Sequence, residues 1–240
     1  MTDYRTRIYK EYASRMQDAS LIFNKDEAVR WGRAYDTFLK RWLPNKKDAA
    51  IIDVACGGGE LQYFFKSRGF TNIQGVDISP EQVALTRQVT ENVVEGDAIV
   101  YLQKHLETYD LITGLDIVEH FKKDEVLHFL DACYDALRPG GRLILQTPNA
   151  ESPWGMKIRY GDFTHEVGFD TNSLRWLLAL VGFSEITSRE AGPVVHGIVS
   201  LGRFLIWKVI RSLIALWNLA ETGSLGSGIY TRVFFISAKK

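Results

Sequence analysis

The chain has 240 residues, nearly half of them apolar, which is enough to build the core of one α/β domain and argues against disorder. Lysine plus arginine equal aspartate plus glutamate at 29 each, so the sequence lacks the basic excess that nucleic-acid binding requires. Two cysteines, Cys56 and Cys133, are too few for a disulfide framework and lack metal-ligand spacing. With a charged N-terminus that shows no apolar signal segment, we expect a cytoplasmic protein.

The first 45 residues are predicted to form a helical cap. Ile8, Tyr9 and Tyr12 recur at helical spacing. A second helix is predicted from Asp26 to Trp42, because Pro44 follows at a position that disfavours continuation.

From residue 46 onward, short apolar runs alternate with longer amphipathic ones. The strand candidates are AAIIDVA, NIQGVDI, NVVEG, YDLITGL, GRLILQTP, FSEITSRE and YTRVFFISA. Strands that alternate with helices predict a doubly wound parallel sheet with helices on both faces. We expect the last strand to close the sheet as an antiparallel edge. The predicted organisation is a single domain over 1–240, with the cap at 1–45, the core at 46–191 and 229–240, and an insert at 192–228.

The insert is unusually apolar around LGRFLIWKVIRSLIALWNLAETG. Arg203, Lys208 and Arg211 interrupt this run, so a membrane-spanning helix is a poor fit. Two alternatives stay open. The favoured one is a helix packed over the sheet or against a second subunit of a homodimer. The other is an interfacial helix over 198–219 that lies against the inner face of a membrane.

The stretch DVACGGGEL places three glycines directly after a strand and before a helix, a pattern typical of close backbone approach to a ligand. The position three residues after Gly59 is Gln62, so the third glycine of a dinucleotide fingerprint is absent. No Gly-Lys-Ser/Thr follows either, which excludes a P-loop. Asp53 precedes the loop and would repel a pyrophosphate. An NAD-dependent oxidoreductase is therefore a weak alternative.

Acids also follow the next two strands. Asp77 ends the second strand, 24 residues after Asp53, where a carboxylate is placed to bind both ribose hydroxyls. Asp97 follows the third strand and is placed to accept a hydrogen bond from an adenine amino group, beside the backbone amide of Ala98. Acids at three successive strand ends predict a nucleoside ligand that carries positive charge and no phosphate.

The motifs IIDVACGGGEL, GVDIS, GDA, YDLITGLDIVEHF and LRPGGRLILQTPN resemble, in order, those of class I S-adenosylmethionine-dependent methyltransferases. The resemblance covers about residues 25–190 and implies a seven-stranded Rossmann-like sheet whose last strand is antiparallel. The family's loop usually begins with glycine, where this chain has Ala55. The cofactor site that we expect comprises Asp53, Ala55, Cys56, Gly57, Gly59, Asp77, Ile78, Asp97, Ala98 and Leu115. S-adenosylmethionine carries a sulfonium and an ammonium, which agrees with a site surrounded by acids.

Methyl transfer to a hydroxyl needs a base, and histidine is the natural candidate near neutral pH. His120 and His165 follow the fourth and fifth strands, at the edge where ligands of this fold react. The stretch GDFTHEVGFDTNSLRWLLALVGF resembles methyltransferases encoded with bacterial surface-glycan genes. This resemblance implies a sugar hydroxyl of a glycan or glycolipid as acceptor, with His165 as base and Asp162 orienting it or binding a sugar hydroxyl. The structural alternative is that His165 only caps the following helix.

Other functions remain open. Asp116, Glu119 and His120 resemble the metal site of ubiquinone-pathway O-methyltransferases, with Asp in place of the first Glu, and such a site would hold Mg²⁺ or Zn²⁺. A small phenol or quinone precursor is the alternative acceptor. A binding module without catalytic activity is a further alternative, from a different class.

Overall fold

The computed structural model describes residues 4–16 and 21–240, and the described strands form one seven-stranded sheet. The strands are β1 (Ile51–Val54), β2 (Ile73–Asp77), β3 (Val93–Glu95), β4 (Tyr109–Leu115), β5 (Leu137–Pro148), β6 (Ser184–Glu190) and β7 (Val233–Lys239). Their order across the sheet is β3-β2-β1-β4-β5-β7-β6, and β7 is antiparallel to both β5 and β6. This confirms the predicted doubly wound sheet with an antiparallel last strand.

Helices cover both faces of the sheet. They are α1 (Tyr4–Tyr9), α2 (Lys25–Phe38), α3 (Glu60–Ser67), α4 (Pro80–Thr86), α5 (Ala98–Leu102), α6 (Lys123–Ala136), α7 (Gly155–Arg159), α8 (Thr171–Val181) and α9 (Ile198–Thr222). A π-helical turn spans Tyr12–Met16 and a 3₁₀ turn spans Val118–His120. Side-chain caps fix several helix starts: Ser79 begins α4 just before a proline, and Asp170 begins α8.

Alternate strand residues enter two separate hydrophobic cores. On one face, Phe234 of β7 packs in a core with Phe129 of α6. On the other face, Phe235 packs in a core with Phe64 of α3 and Tyr35 of α2. This two-sided burial explains why the β7 sequence is a continuous apolar run rather than an alternating one.

The prediction that β7 forms the edge of the sheet was wrong, because β6 occupies the edge. β7 pairs with β5 along one side and with β6 along the other, so its backbone is hydrogen-bonded on both sides. Two element boundaries also differ. α2 ends at Phe38 rather than Trp42, and β5 begins at Leu137 rather than at Gly141, where the predicted strand GRLILQTP begins.

The N-terminal part of the predicted cap lies across the carboxyl ends of the strands. Arg5 pairs with Glu125 of α6 at 2.7 Å and donates to the His120 carbonyl at 2.9 Å. Tyr4 donates a hydrogen bond to Glu166. Residues 1–3 and 17–20 of the predicted cap lie outside the described residues.

The insert forms the long helix α9, and within it only Ser200 is buried. Packing over the sheet, one part of the favoured expectation, is therefore wrong, because most apolar side chains of α9 are exposed. Packing against a second subunit stays a prediction. No helix in the described part of the chain has both the length and the apolar character needed to cross a membrane.

Candidate active site

A cavity of about 580 Å³ opens at the carboxyl ends of the central parallel strands. This is the edge at which doubly wound sheets bind ligands, because the strand order reverses there between β1 and β4. One wall consists of the loops after β1, β2 and β3, and we call it the nucleoside wall. The other wall, which we call the acceptor wall, consists of α1, Tyr12, the segment after β4 and residues 158–165.

The loop after β1 carries three residues in the left-handed region of backbone conformation. Ala55 and Gly57 have φ of 54° and Gly59 has φ of 94°. A side chain on Gly59 would approach the backbone of Thr86 to 3.1 Å, so this glycine is needed for packing, whereas Gly57 opens on free space in the cavity. The strained φ of Ala55 explains why glycine is usual at this place in the family that the sequence resembles.

Asp77 joins the first two loops of the nucleoside wall. Its carboxylate accepts hydrogen bonds from the amides of Gly57 at 2.9 Å and Ser79 at 2.8 Å. Burial raises the pKa of Asp77, while these amide hydrogen bonds act in the opposite direction. Asp77 therefore orders the glycine loop while it lines the cavity, as expected for a ribose-binding acid.

Asp97 also lines the cavity and has a second task. Its carboxylate caps α5 by accepting from the Val100 amide at 3.0 Å. A carboxylate with one oxygen committed to the cap keeps acceptor capacity for a ligand. The structure places seven of the ten expected cofactor residues on the cavity: Ala55, Gly57, Asp77, Ile78, Asp97, Ala98 and Leu115.

Three expected cofactor residues do not line the cavity. Asp53 is buried in β1, where Thr113 of β4 donates to it at 2.7 Å, and burial raises the pKa of Asp53 to about 7. Cys56 points away toward Gly75, and Gly59 begins α3. These residues lie beneath the loop and support it, so their positions do not indicate direct contact with a ligand.

Two imidazoles meet on the acceptor wall. The ring centroids of His120 and His165 are 4.8 Å apart, although the residues are 45 positions apart in the chain. Burial lowers the pKa of His120 to about 4, helped by the proximity of His165, and burial also lowers the pKa of His165. Both rings are therefore neutral near neutral pH, and each has a nitrogen lone pair.

Hydrogen bonds define which ring nitrogen carries the proton. Thr164 donates its single hydroxyl proton to Asp162 at 2.6 Å, so it can only accept from Nδ1 of His120, 2.9 Å away. His165 Nδ1 lies 3.1 Å from the carbonyl of Ile158, to which it donates. Both rings therefore keep Nε2 as the basic atom.

The expectation that Asp162 orients His165 was wrong. The Asp162 side chain accepts from Thr164 and from the Tyr12 hydroxyl, the latter at 2.7 Å, and it acts on His120 through Thr164. These hydrogen bonds hold the pKa of Asp162 below its usual range, although burial opposes them. His165 does not cap the following helix either, because Asp170 takes that position.

The cap supplies cavity residues that the sequence motifs did not reveal. Tyr9 packs edge-on against His120, with ring centroids 6.4 Å apart, and burial raises the pKa of Tyr9 to about 12. Arg5, Tyr9 and Tyr12 all line the cavity. The one available signal was their spacing on a helix, which predicts a buried face but not what that face covers.

Two further acids flank the histidines. Glu119 is buried, and its Oε2 accepts from Thr147 at 3.0 Å, while Oε1 has no hydrogen-bond partner among the described residues. Burial and the negative charge of Asp116 raise the pKa of Glu119 well above its ordinary value. Asp116 accepts from Gln146 at 2.7 Å, and removal from bulk water raises its pKa to about 6, although its carboxylate stays open to the cavity.

These groups include a candidate cation site. The ligand atoms of Glu119, His120 and His165 lie within 4.8 Å of one another. The sequence predicted Asp116, Glu119 and His120 as the ligands. In the structure His165 takes the place of Asp116, whose carboxylate accepts a hydrogen bond from Gln146 instead. An unpartnered buried carboxylate oxygen and two imidazoles fit a divalent cation such as Zn²⁺, and metal binding stays a prediction.

The cavity also fits S-adenosylmethionine. Acids line it on both walls, and Arg5 is the one arginine or lysine among the described residues that line it. Its acids are Asp77, Asp97, Asp116, Glu119 and Asp162. Such a lining favours a ligand with a sulfonium and an ammonium and disfavours a pyrophosphate.

Comparison with known proteins agrees with this geometry. A family model described as a methyltransferase domain matches residues 23–188. A ubiquinone biosynthesis O-methyltransferase from Shewanella sp. (strain ANA-3) is 30% identical over 105 residues, which is 41% of this chain and 43% of that protein. The corresponding protein of Cronobacter sakazakii is 26% identical over 138 residues, 55% of this chain and 47% of its own length. The matches thus span less than half of these relatives.

Solved structures show the same fold. A SAM-dependent methyltransferase from Archaeoglobus fulgidus matches with a TM-score of 0.65 and 21% identity, over 99% of this chain and 100% of its own. Phosphoethanolamine N-methyltransferase 2 of Haemonchus contortus, in complex with S-adenosyl-L-methionine, matches with a TM-score of 0.62 and 16% identity, over 97% of this chain and 60% of its own.

The chain belongs to the methyltransferase-domain family, since the family model covers more than half of it. This membership confirms the predicted methyltransferase domain, and the solved structures confirm the predicted class I fold. These relatives do not show the predicted resemblance to glycan-modifying enzymes, which stays a prediction.

Proposed function

We propose that this protein methylates a hydroxyl group of a small phenol or quinone precursor, with S-adenosylmethionine as methyl donor and His165 as general base. The observation that carries the proposal is the pair of neutral imidazoles on the acceptor wall, in the same cavity as the acids of the nucleoside wall. The relatives named ubiquinone biosynthesis O-methyltransferases support the phenolic acceptor over the sugar hydroxyl that the sequence favoured.

The acceptor wall suits an aromatic ring. Tyr9, Tyr12, Phe121 and Ile158 line the cavity around the two histidines. Aromatic rings pack against one another edge-on or offset, so these side chains can hold a planar acceptor with its hydroxyl toward the imidazoles. A neutral imidazole is also a base that matches a phenolic hydroxyl, whose pKa is about 10, better than a less acidic sugar hydroxyl.

S-adenosylmethionine supplies an electrophilic methyl group when bound. Asp77 and Asp97 would hold its nucleoside part, and the open backbone at Gly57 would let it approach the loop closely. His165 Nε2 would take the proton of the acceptor hydroxyl, which makes the oxygen that receives the methyl group more nucleophilic. Thr164 and Asp162 keep His120 in the tautomer whose Nε2 faces the same region.

The acceptor class is tested by radiolabelled methyl transfer. The purified full chain is incubated with labelled S-adenosylmethionine and two matched panels, one of dihydroxybenzoates and hydroquinones and one of monosaccharides and nucleotide sugars. We expect label in phenolic products. Label confined to the sugars would overturn the proposed acceptor while it preserves the reaction type, and labelling of neither panel by a protein that binds the cofactor would contradict the proposal.

A further inference from the structure

The long helix α9 presents an apolar face to its surroundings. At 1.5 Å per residue its 25 residues extend about 37 Å. Side chains spaced three or four residues apart form one continuous exposed stripe that includes Leu205, Ile206, Val209, Leu213, Leu216 and Trp217. No charged residue interrupts this stripe, because Arg203, Lys208, Arg211 and Glu221 fall on other sides of the helix.

The opposite side of α9 is anchored to the domain by polar contacts. Glu190, at the end of β6, accepts from Trp207 Nε1 at 3.1 Å and pairs with Lys208 at 3.2 Å and Arg211 at 3.1 Å. These contacts fix the rotation of the helix about its own axis. The apolar stripe is therefore held outward by the fold.

The C-terminal end of α9 lies beside the entrance to the active site. Ser227, just beyond the helix, donates a hydrogen bond to Glu151 at 2.5 Å. Glu151 directly precedes residues 152–163, which contain α7 and which we call the α7 segment. That segment carries further exposed apolar side chains, with Met156, Tyr160 and Phe163 each at least 70% exposed. Its neighbours Ile158 and Gly161 line the cavity. The exposed apolar side chains of the α7 segment therefore lie near the mouth of the cavity, and the chain that follows α9 contacts the start of this segment.

The two surfaces, on α9 and on the α7 segment, carry a small excess of exposed positive charge. Lys208 and Arg211 are paired with Glu190 on the anchored side of α9, so the exposed charges in residues 152–163 and 192–228 are Lys157, Arg203 and one acid, Glu221. The other acid in these ranges, Asp162, is bound to Tyr12 and Thr164 inside the cavity. Exposed Arg232, which stacks on Trp154 with its guanidinium 5.2 Å from the ring, adds to the positive charge.

We propose that α9 and the α7 segment bind the surface of an anionic lipid bilayer, with the apolar stripe inserted at the level of the headgroups. A lipid surface complements both features, since it takes up the apolar side chains and attracts the basic ones. A second copy of the chain would bring the same positive surface against itself, which is unfavourable. Binding in this orientation turns the mouth of the cavity toward the bilayer.

The test is co-sedimentation of the full chain with vesicles. Vesicles of phosphatidylcholine mixed with phosphatidylglycerol should bind the protein, and pure phosphatidylcholine should bind it far less. The variant Val209→Glu with Leu213→Glu should bind about tenfold more weakly or worse, because apolar burial is lost at two sites. The matched control is Leu106→Glu with Leu180→Glu. Leu106 and Leu180 are 61% and 58% exposed, and Val209 and Leu213 are 61% and 60% exposed. The control variant should therefore bind the vesicles as tightly as the wild-type protein does.

A second measurement reports how deeply α9 enters the bilayer. Brominated lipids should quench tryptophan emission, and Trp217→Phe should lower that quenching, whereas Trp176→Phe, a change at a similarly exposed tryptophan on α8, should not. The proposal is overturned if the wild-type chain ignores anionic vesicles, or if both double variants lose binding equally. It is also overturned if the chain forms a dimer that Val209→Glu with Leu213→Glu dissociates and no vesicle binding occurs.

Discussion

The nucleoside wall and the acceptor wall of the cavity are built in different ways. The nucleoside wall uses short loops directly after consecutive strands, and its contacts run through backbone amides and carboxylates, as between Asp77 and Gly57. The acceptor wall brings together side chains from distant segments, such as Tyr12, His120 and His165. Cofactor recognition is therefore a local property of the strand ends, whereas acceptor recognition depends on how the cap and the later loops pack on them.

The largest effect should come from the acceptor wall. We expect His165→Ala to lower kcat by about 10²–10⁴-fold, the usual contribution of a general base, and to leave S-adenosylmethionine affinity unchanged. The measurement is a pair of assays, methyl transfer for the rate and calorimetry for cofactor binding. His120→Ala is the companion variant, because the same ring contact includes it.

The same variants distinguish a base from a metal ligand. If His165 acts as base, dialysis against a chelator should leave wild-type turnover intact. If Glu119, His120 and His165 hold a cation that turnover needs, the chelator should abolish activity and added Zn²⁺ or Mg²⁺ should restore it. Retention of full turnover by His165→Ala would remove this residue from the reaction altogether.

On the nucleoside wall, we expect Asp77→Ala to weaken S-adenosylmethionine binding by about 10–100-fold, because a ligand hydrogen bond to a charged group is lost and the glycine loop loses its acceptor. Calorimetry with S-adenosylhomocysteine measures the same loss. Cys56→Ser is the matched control, since Cys56 belongs to the same loop but does not line the cavity. If Asp77→Ala binds S-adenosylmethionine as tightly as the wild-type protein does, the nucleoside wall is not the cofactor-binding wall that we assign.

The smallest effect on turnover should come from Asp53, beneath the nucleoside wall. Its pKa is raised to about 7 in the folded protein, so the folded state binds a proton that the unfolded chain releases near pH 4. Stability should therefore fall as pH rises from about 4 to 7, with no further loss from this group at higher pH. Urea unfolding across that range measures the slope.

We expect Asp53→Asn to flatten this slope and to add on the order of 1–3 kcal/mol to the free energy of unfolding at pH 7.5, because the amide keeps an acceptor for Thr113 without a buried charge. Thr113→Val is the companion variant, and it should steepen the loss of stability with pH. A destabilised Asp53→Asn would show instead that the charged carboxylate is needed in the fold.

The sequence was sufficient to predict where the acids at the strand ends lie, because each acid comes at or just after the end of a strand along the chain. Asp77 ends β2 and Asp97 follows the end of β3, so their convergence needs only a parallel sheet. It was insufficient for Asp53, because an acid in a strand can point into the cavity or into the sheet, and only the packing against Thr113 decides between the two.

The pairing of Tyr12 with Asp162 and the outward face of α9 belong to the tertiary structure alone. The hydrogen bond joins residues 150 positions apart. A helical pattern of apolar side chains predicts an apolar face on α9, but it does not predict whether that face packs against the protein or is exposed. By itself, the sequence determined the family, the cofactor class and the sheet, because these depend on short-range patterns. Tertiary structure decided the hydrogen-bond partners of the histidines, the place of β7 between β5 and β6, and the exposure of α9, because long-range contacts leave no local periodicity in the chain.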